Sequence, residues 1–471
     1  MRPARGASLA AGVLLLAACT VGPDYRRPDL KLPDAYFEPA VENAGATAPD
    51  AIPQWWTLFG DARLNDLVEA AFAHNTDLEL AAAQVAEAEA ALREARAAQW
   101  PELDANAGAA RARSSQLTPF FPQALAPINN DFKFGVSTAF ELDFWGRLRR
   151  ASEAARARLL ATRYGRDVVA LSLAAATVEG YFSLRSLDVQ VDLTHSTIGR
   201  YDDTADIVSR RIRAGYASSL DQATTDAARA SESAQLRELT RQRANVRHEL
   251  AQLTGQFELE LDPGDLMTLP IPPAPPPGVP STLLVRRPDV REAEQNLVAA
   301  NALIGVARAS EFPTFSLTAA LGQESDALGS VLHGPGRLWS VGAGVVGPVL
   351  DAGRYAARTA QAQARQRQAA ATWRASVETA FHEVADALAG IRETTAAEAD
   401  LKLAVEAARE AERIARSRYS NGYAGYFELL DAQRTVDAAQ LAYVRNRQAR
   451  LDYDVDLIKA LGGGWQSDTA S

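Results

Sequence analysis

Residues 131–144 read DFKFGVSTAFELDF. Phe132, Phe134, Val136, Thr138, Phe140, Leu142 and Phe144 fall on one side of an extended chain. Asp131, Lys133, Gly135, Ser137, Ala139, Glu141 and Asp143 fall on the other. A period of two, with one apolar and one polar side, is the pattern of a β-strand. The stretch is longer than the roughly 9–11 residues that a tilted strand needs to cross a bilayer. Farther along the chain, Trp339, Val341, Ala343, Val345 and Val349 share a side, as do Phe315, Leu317, Ala319 and Leu321 just before them. Leu103 to Ala109 alternates with small residues and is the faintest of four such segments. A soluble sheet packed on a helix would alternate in the same way, because the signal of each barrel strand is weak. The loops between paired strands, 114–130 and 323–337, are long and carry Phe120, Phe121, Pro122 and Pro335. Long loops on one side fit the outer surface of a membrane barrel.

Around these strands the chain repeats itself. Residues 141–255 match 348–462 at a constant offset: Gly146-Arg147 falls on Gly353-Arg354, Gly215-Tyr216 on Gly422-Tyr423, and Leu253-Thr254-Gly255 on Ala460-Leu461-Gly462. Upstream, Arg96 falls on Arg308 and Trp100-Pro101 on Phe312-Pro313. Two copies of one unit follow, each with an Ala-rich helix, two strands, a long helix, a Gly-containing turn and a shorter helix. The first Ala-rich helix covers about 62–99, with a possible break near His74, and the second 288–310. Pro270 to Pro280 joins the copies as an extended linker, since proline supplies no backbone donor.

No proline occurs between 128 and 262 or between 349 and 471. Leu160, Tyr164, Val168, Leu171, Ala175, Val178 and Phe182 form one amphipathic stripe, and the helical pattern runs from Arg147 to Arg213. At 1.5 Å per residue such a helix reaches about 100 Å, so it needs lateral neighbours along its whole length. The alternative is a series of shorter helices kinked at Gly165, Gly180 and Gly199.

Arg2 and Arg5 precede a short apolar run, Leu9 to Ala18, that is too short to span a bilayer as a helix. It ends Leu16-Ala17-Ala18-Cys19, similar to a lipobox, and Cys19 is the chain's sole cysteine. Residues 1–18 are expected to be a lipoprotein signal peptide and Cys19 the acceptor of S-diacylglycerol and an N-acyl chain. Thr20 in place of aspartate favours outer-membrane delivery. One cysteine excludes an intramolecular disulfide and a cysteine-based metal cluster. The net charge of −10 disfavours nucleic-acid binding. His74, His195, His248, His333 and His382 are scattered, and no nucleophile elbow, phosphate loop or nucleotide fingerprint occurs. An enzyme is not expected, nor is a cofactor or bound metal.

Four strands cannot close on themselves, and an open edge in lipid leaves backbone groups unsatisfied. Barrels of about eight strands are filled by their own side chains. A conduit therefore needs at least three copies, twelve strands and a matching ring of helices.

Further motifs carry a family resemblance. Cys19-Thr20-Val21-Gly22-Pro23-Asp24-Tyr25, Trp55-Trp56 with Phe59-Gly60-Asp61 and Leu64, Asn75-Thr76-Asp77-Leu78, and Arg286-Arg287-Pro288-Asp289-Val290-Arg291 stand in order. With the duplication they make the chain resemble the TolC-like outer-membrane efflux factors, in particular their lipoprotein (NodT-type) branch, over essentially the whole mature length. The resemblance implies a mainly α fold with a membrane β-barrel part, built from two long helical hairpins and four strands per protomer. Three protomers would form a twelve-stranded β-barrel continuous with a periplasmic α-barrel of twelve helices. It implies an N-terminal belt segment 19–61, a first repeat 62–255 (strands about 102–115 and 131–144, tip about 213–221) and a Pro-rich belt linker 256–287. A second repeat, 288–462 (strands about 313–323 and 338–350, tip about 419–431), and a tail, 463–471, would follow.

It also implies a passive exit duct that receives cargo from a periplasmic adaptor and an inner-membrane, proton-driven pump, embedded in outer-membrane lipid. The tips would dock the adaptor through Gly215, Ser218, Ser219, Leu220, Gly422, Tyr423 and Phe427. Asp431 would line a closed periplasmic aperture, with Asp221 and Tyr419 tying neighbouring helices there. The family's arginine in the second tip is Ala424 here, so that part of the lock is missing or replaced. The residues leave open a periplasmic adaptor lipoprotein, an adhesive coiled coil and the outer-membrane duct of a secretion machine. They do not name the cargo.

Overall fold

Asn75 divides the first Ala-rich stretch into two helices. The structure, a computed structural model, describes residues 20–36, 38, 54–113, 115, 128–273 and 283–463. Helices α1 (Ala62–His74) and α2 (Thr76–Ala97) flank Asn75, whose side-chain oxygen accepts from the backbone of Asp77 (2.9 Å) and Leu78 (3.2 Å) and so caps α2. Its amide donates to the carbonyl of Leu253 (3.0 Å). The Asn-Thr-Asp-Leu motif is thus a cap and a cross-link together.

The order continues with β1 (Glu102–Arg113), β2 (Ile128–Leu142), α3 (Arg147–Arg213) and α4 (Ser219–Leu253). A single helical turn at Leu283–Arg286 precedes α5 (Pro288–Ala309), β3 (Thr314–Ser325), β4 (Arg337–Val346), α6 (Arg354–Ser420) and α7 (Tyr426–Ala460). The duplication is visible element by element. Helices α3 and α6 have 67 residues each, α4 and α7 have 35, α2 and α5 have 22, and β1 and β3 have 12. Helix α3 is unbroken through Gly165, Gly180 and Gly199. Each long helix starts from an aspartate. Asp143 accepts from the backbone of Arg149 (2.9 Å), and Asp351 from Gly353 (3.1 Å) and Tyr355 (2.8 Å). These donors hold the Asp351 carboxyl below its usual range.

Two units divide the chain. One comprises residues 1–29, 84–162 and 292–373 and holds the sheet; the other comprises 30–83, 163–291 and 374–471. In the first unit the strands run β1-β2-β3-β4, every neighbouring pair antiparallel. The N-terminal segment lies as a strap on this unit. The backbone N–H of Val21 donates to the carbonyl of Trp145 (3.0 Å), and Asn301 donates to the Pro23 carbonyl (2.9 Å). Arg150 pairs with Asp24 (2.6 Å), and Glu294 accepts from Arg27 (2.6 and 2.7 Å) and Tyr25 (3.0 Å). Gly22 crosses Gly305 so closely that a Cβ on Gly22 would stand 2.5 Å from the Gly305 Cα.

In the second unit Trp55, Trp56, Phe59, Leu64 and Val68 pack with Val178, Phe182, Leu250, Leu266, Leu451 and Val455. The Trp-Trp motif is therefore core. Asp61 caps α1 and accepts from Tyr181 Oη (2.5 Å). Arg287, from the Arg-Arg-Pro-Asp motif, grips Asp289 (2.7 Å), Glu383 (2.6 Å) and the Ala460 carbonyl (3.1 Å), joining the start of α5 to α6 and α7.

Candidate functional site

The strand register gathers the apolar residues on one face. Leu142, Phe140, Thr138 and Val136 of β2 lie opposite Phe315, Leu317, Ala319 and Leu321 of β3, which lie opposite Val345, Ala343, Val341 and Trp339 of β4. On β1, Leu103, Ala105 and Ala107 face Thr138, Val136 and Phe134. Among the described residues nothing covers much of this face: Trp339 is 73% exposed, Val341 75% and Leu103 72%. A soluble sheet buries its apolar face under a second layer, and a contiguous apolar surface of this kind belongs against lipid.

The opposite face is polar or small. It presents Asp104 and Asn106 of β1, Asp131, Lys133 and Ser137 of β2, Ser316 and Thr318 of β3, and Gly342 and Gly344 of β4. Asn106 donates to Ser137 (3.3 Å), and Lys133 pairs with Asp131 (2.9 Å) and Glu324 (3.4 Å). Strands β1 and β4 each have one edge without a partner strand among the described residues.

In the second unit, two turns join the hairpin helices. Gly215 and Gly422 have φ of +80° and +82°, the left-handed conformation that ends a helix and that glycine adopts without penalty. Ser218 caps α4 in a reciprocal box: its oxygen accepts from the Asp221 N–H (3.3 Å) and the Asp221 carboxylate accepts from the Ser218 N–H (3.0 Å). Ser219 is the first residue of α4. Leu220, Tyr423 and Phe427 are exposed at 72%, 80% and 76%. Asp431 is exposed on α7.

Tyr419 is buried, and its ring meets Tyr426 at 6.0 Å. No hydrogen bond joins Tyr419 to Asp221, whose carboxylate serves the cap. Instead Arg211 of α3 donates to the Tyr419 carbonyl and lies over its ring, 4.5 Å from the centroid. Sequence reading did not single out Arg211, nor the buried polar cluster above it. There Arg200 of α3 pairs with Asp437 of α7, and Thr197 donates to the same carboxylate oxygen (2.8 Å). The available signal is their spacing: 197, 200, 204, 208 and 211 form one stripe of α3. Burial raises the Asp437 carboxyl against the opposing pull of Thr197 and Arg200, and raises the hydroxyl of Tyr419. Cys19 lies outside the described residues. Among the described residues no group of His, Cys, Asp or Glu could hold a metal ion.

Comparison with known proteins agrees with this geometry. The outer membrane efflux protein family model matches residues 67–256 and 279–463, one match to each repeat. The chain is 32% identical to the solvent efflux pump outer membrane protein SrpC of Pseudomonas putida, covering 96% of this chain and 97% of that one. It is 32% identical to the outer membrane protein OprJ of Pseudomonas aeruginosa, covering 98% and 97%. Among solved structures, the outer-membrane channel OprN superposes with a TM-score of 0.89 at 31% identity, over 95% of this chain and all of that one. The CmeC outer membrane channel of Campylobacter jejuni superposes with a TM-score of 0.89 at 25% identity, over 96% of each. An exposed amphipathic sheet, two duplicated helical hairpins and these likenesses lead to one conclusion: the chain belongs to the outer membrane efflux protein family and is the outer-membrane channel component of an efflux system.

Proposed function

We propose that three copies of the chain assemble into the exit duct of a tripartite efflux pump. The observation that carries this is the uncovered apolar face of a sheet with two unpaired edges. Lipid covers the face, and pairing of β4 with β1 of the next copy satisfies both edges, which cannot remain open in hydrocarbon. Three copies give twelve strands and place the polar face around a water-filled path. The duct conducts without chemistry of its own, so the driving energy comes from the inner-membrane pump, a proton-driven one on the resemblance to the lipoprotein branch.

At the periplasmic end, Gly215, Ser218, Ser219, Leu220, Gly422, Tyr423 and Phe427 form the surface that meets the adaptor. Their support is exposure: apolar side chains at a helical turn are held out by the caps behind them. Asp431 contributes one carboxylate per copy to the closed aperture. Asp221 acts through its cap, and Tyr419 through Arg211, which supplies from the first hairpin the cation that Ala424 denies the second tip. Cys19 carries the acyl chains, and mass spectrometry of the mature N-terminus tests that.

The relatives' names range from solvent and toluene to cations, so cargo class is left to the pump. A deletion strain and its complement, challenged with antibiotics, dyes, solvents and copper and silver salts, test the assignment. Hypersensitivity restored by the wild-type chain is expected, and the compounds affected identify the cargo. Loss of a secreted protein with an unchanged panel would instead favour a secretion duct. Asp431→Ala is expected to raise single-channel conductance in a planar bilayer; unchanged conductance would remove Asp431 from the aperture.

A further inference from the structure

Near the periplasmic tips, three helices converge on one guanidinium. Arg200 of α3 pairs with Asp437 of α7 and stands 3.7 Å from Glu412 of α6. Its side chain is 23% exposed, and those of Asp437 and Glu412 are 12% and 13% exposed. Thr197 adds a hydrogen bond to Asp437 (2.8 Å), and Arg416 a second cation on Glu412 (3.1 Å). One turn toward the tip, Gln433 of α7, 1% exposed, donates to Thr204 of α3 (3.2 Å). An apolar cluster that includes Tyr201, Val208, Tyr419, Tyr426, Leu429 and Leu430 runs alongside this pair toward the tip, where Arg211 lies on Tyr419.

Resting on the duct reading, we propose that Arg200 is a positioning residue for conduction: it fastens the lower part of α3 to both helices of the second hairpin, so that the width of the periplasmic mouth depends on it. The physical basis is the environment of the charges. Apolar contacts within this cluster tolerate sliding, because dispersion has no direction. A guanidinium set between two half-buried carboxylates on different helices does not, since Arg200 and Asp437 lose their mutual compensation if one helix shifts. Glu232 of α4 faces the same site, where burial and the Asp437 charge raise its carboxyl. The site therefore holds three carboxylates, and Arg200 is the cation that touches two of them. Removing it takes the paired guanidinium from Asp437, while Glu412 keeps Arg416 of its own helix, so the link between the helices is lost.

The test uses full-length acylated protein purified in detergent, with planar-bilayer conductance and oligomeric mass as separate readouts. Arg200→Gln is expected to keep the oligomer and raise single-channel conductance several-fold. Arg200→Lys, which keeps the charge, should stay near wild type. Arg200→Gln with Asp437→Asn removes both members of the pair and should fall between. Wild-type conductance in an intact Arg200→Gln oligomer would overturn the proposal, as would a double variant that conducts as much as the single. If Arg200→Gln does not assemble, Asp437→Asn alone decides: raised conductance supports the proposal and unchanged conductance overturns it. A wild-type protein that forms no pore would refute the duct reading itself, independently of the variants.

Discussion

Asp452 shows how a single carboxyl can set the pH response of the helical part. It sits half-buried on α7 beside an open cavity of about 600 Å³ that is also lined by Glu179, Glu249 and Asp456. Burial first, then the Glu179 charge, pushes its pKa up to about 7, and the amide of Gln448 only partly offsets this. Asp454, on the same helix, is pushed up to about 7 by burial despite its pairing with Arg450 (2.9 Å). A carboxyl raised in the folded state binds its proton more tightly there than in the unfolded chain. Its contribution is therefore fully present below the ordinary aspartate range and is lost as pH rises through about 7. Asp452→Asn cannot ionise and should raise stability at pH 8 by on the order of 1–2 kcal/mol, with a smaller gain at pH 5 and little change at about pH 3, below the ordinary aspartate range. Thermal unfolding in detergent from about pH 3 to pH 8 checks this; an Asn variant with the same pH dependence as wild type would place the response elsewhere. Asp454→Asn is the poorer probe, because it also removes the partner of the buried Arg450.

Among the elements, the N-terminal strap of residues 20–27 makes contacts that no periodicity announces. Glu294 on α5, with a side chain only 9% exposed, accepts from both Arg27 and Tyr25. With Glu294→Ala the lower strap loses both partners. Limited proteolysis should then cut near Arg26-Arg27 faster than in wild type while the hairpins stay intact; unchanged cleavage would mean that Asn301 and Arg150 hold the strap alone. Strands and long helices were legible in the sequence because their signal is periodic. Phe132 to Leu142 alternates with a period of two, and Leu160 to Phe182 follows the helical stripe. The duplication was legible because Gly146 and Gly353, or Gly215 and Gly422, occupy the same turn in each copy. The strap was not, since an extended segment without alternation leaves no pattern and its partners are distant in sequence: Arg150 on Asp24 lies 126 residues away and Glu294 on Tyr25 lies 269. The same holds at the tips. Gly215 and Ser218 follow local capping rules, whereas the meeting of Arg200 with Asp437 and of Arg211 with Tyr419 depends on how two helices from different repeats are rotated against each other. Asp221 illustrates the limit: the resemblance implies a tie between helices, and its carboxylate also closes the cap of its own helix, a contact that local spacing alone accounts for.

For the whole molecule, the two faces of the sheet make opposite demands, and one pair of substitutions separates them. Val341 on the apolar face is 75% exposed in the single chain. An arginine there would stand in the acyl region of the bilayer at a cost of about 2–4 kcal/mol per copy, so Val341→Arg should lower the yield of assembled protein in the outer membrane. Asp104 on the polar face meets no lipid in a closed twelve-stranded barrel. On that face Lys133 holds Asp131 and Glu324, and Arg147 holds Glu141 (2.6 Å). Glu102 and Asp104 have no ion pair among the described residues, so closure by three copies brings uncompensated carboxylates to the inner end of the path. A narrow path lined by one sign of charge favours the opposite ion. Wild-type channels should therefore be cation-selective under a salt gradient, and Asp104→Lys should shift the reversal potential toward anions without changing assembly. If Asp104→Lys abolished assembly as Val341→Arg does, the two faces would not be divided between lipid and water, and the closed barrel would be the wrong arrangement of these strands. If assembly held and the reversal potential did not move, the strands would close with Asp104 away from the conducting path.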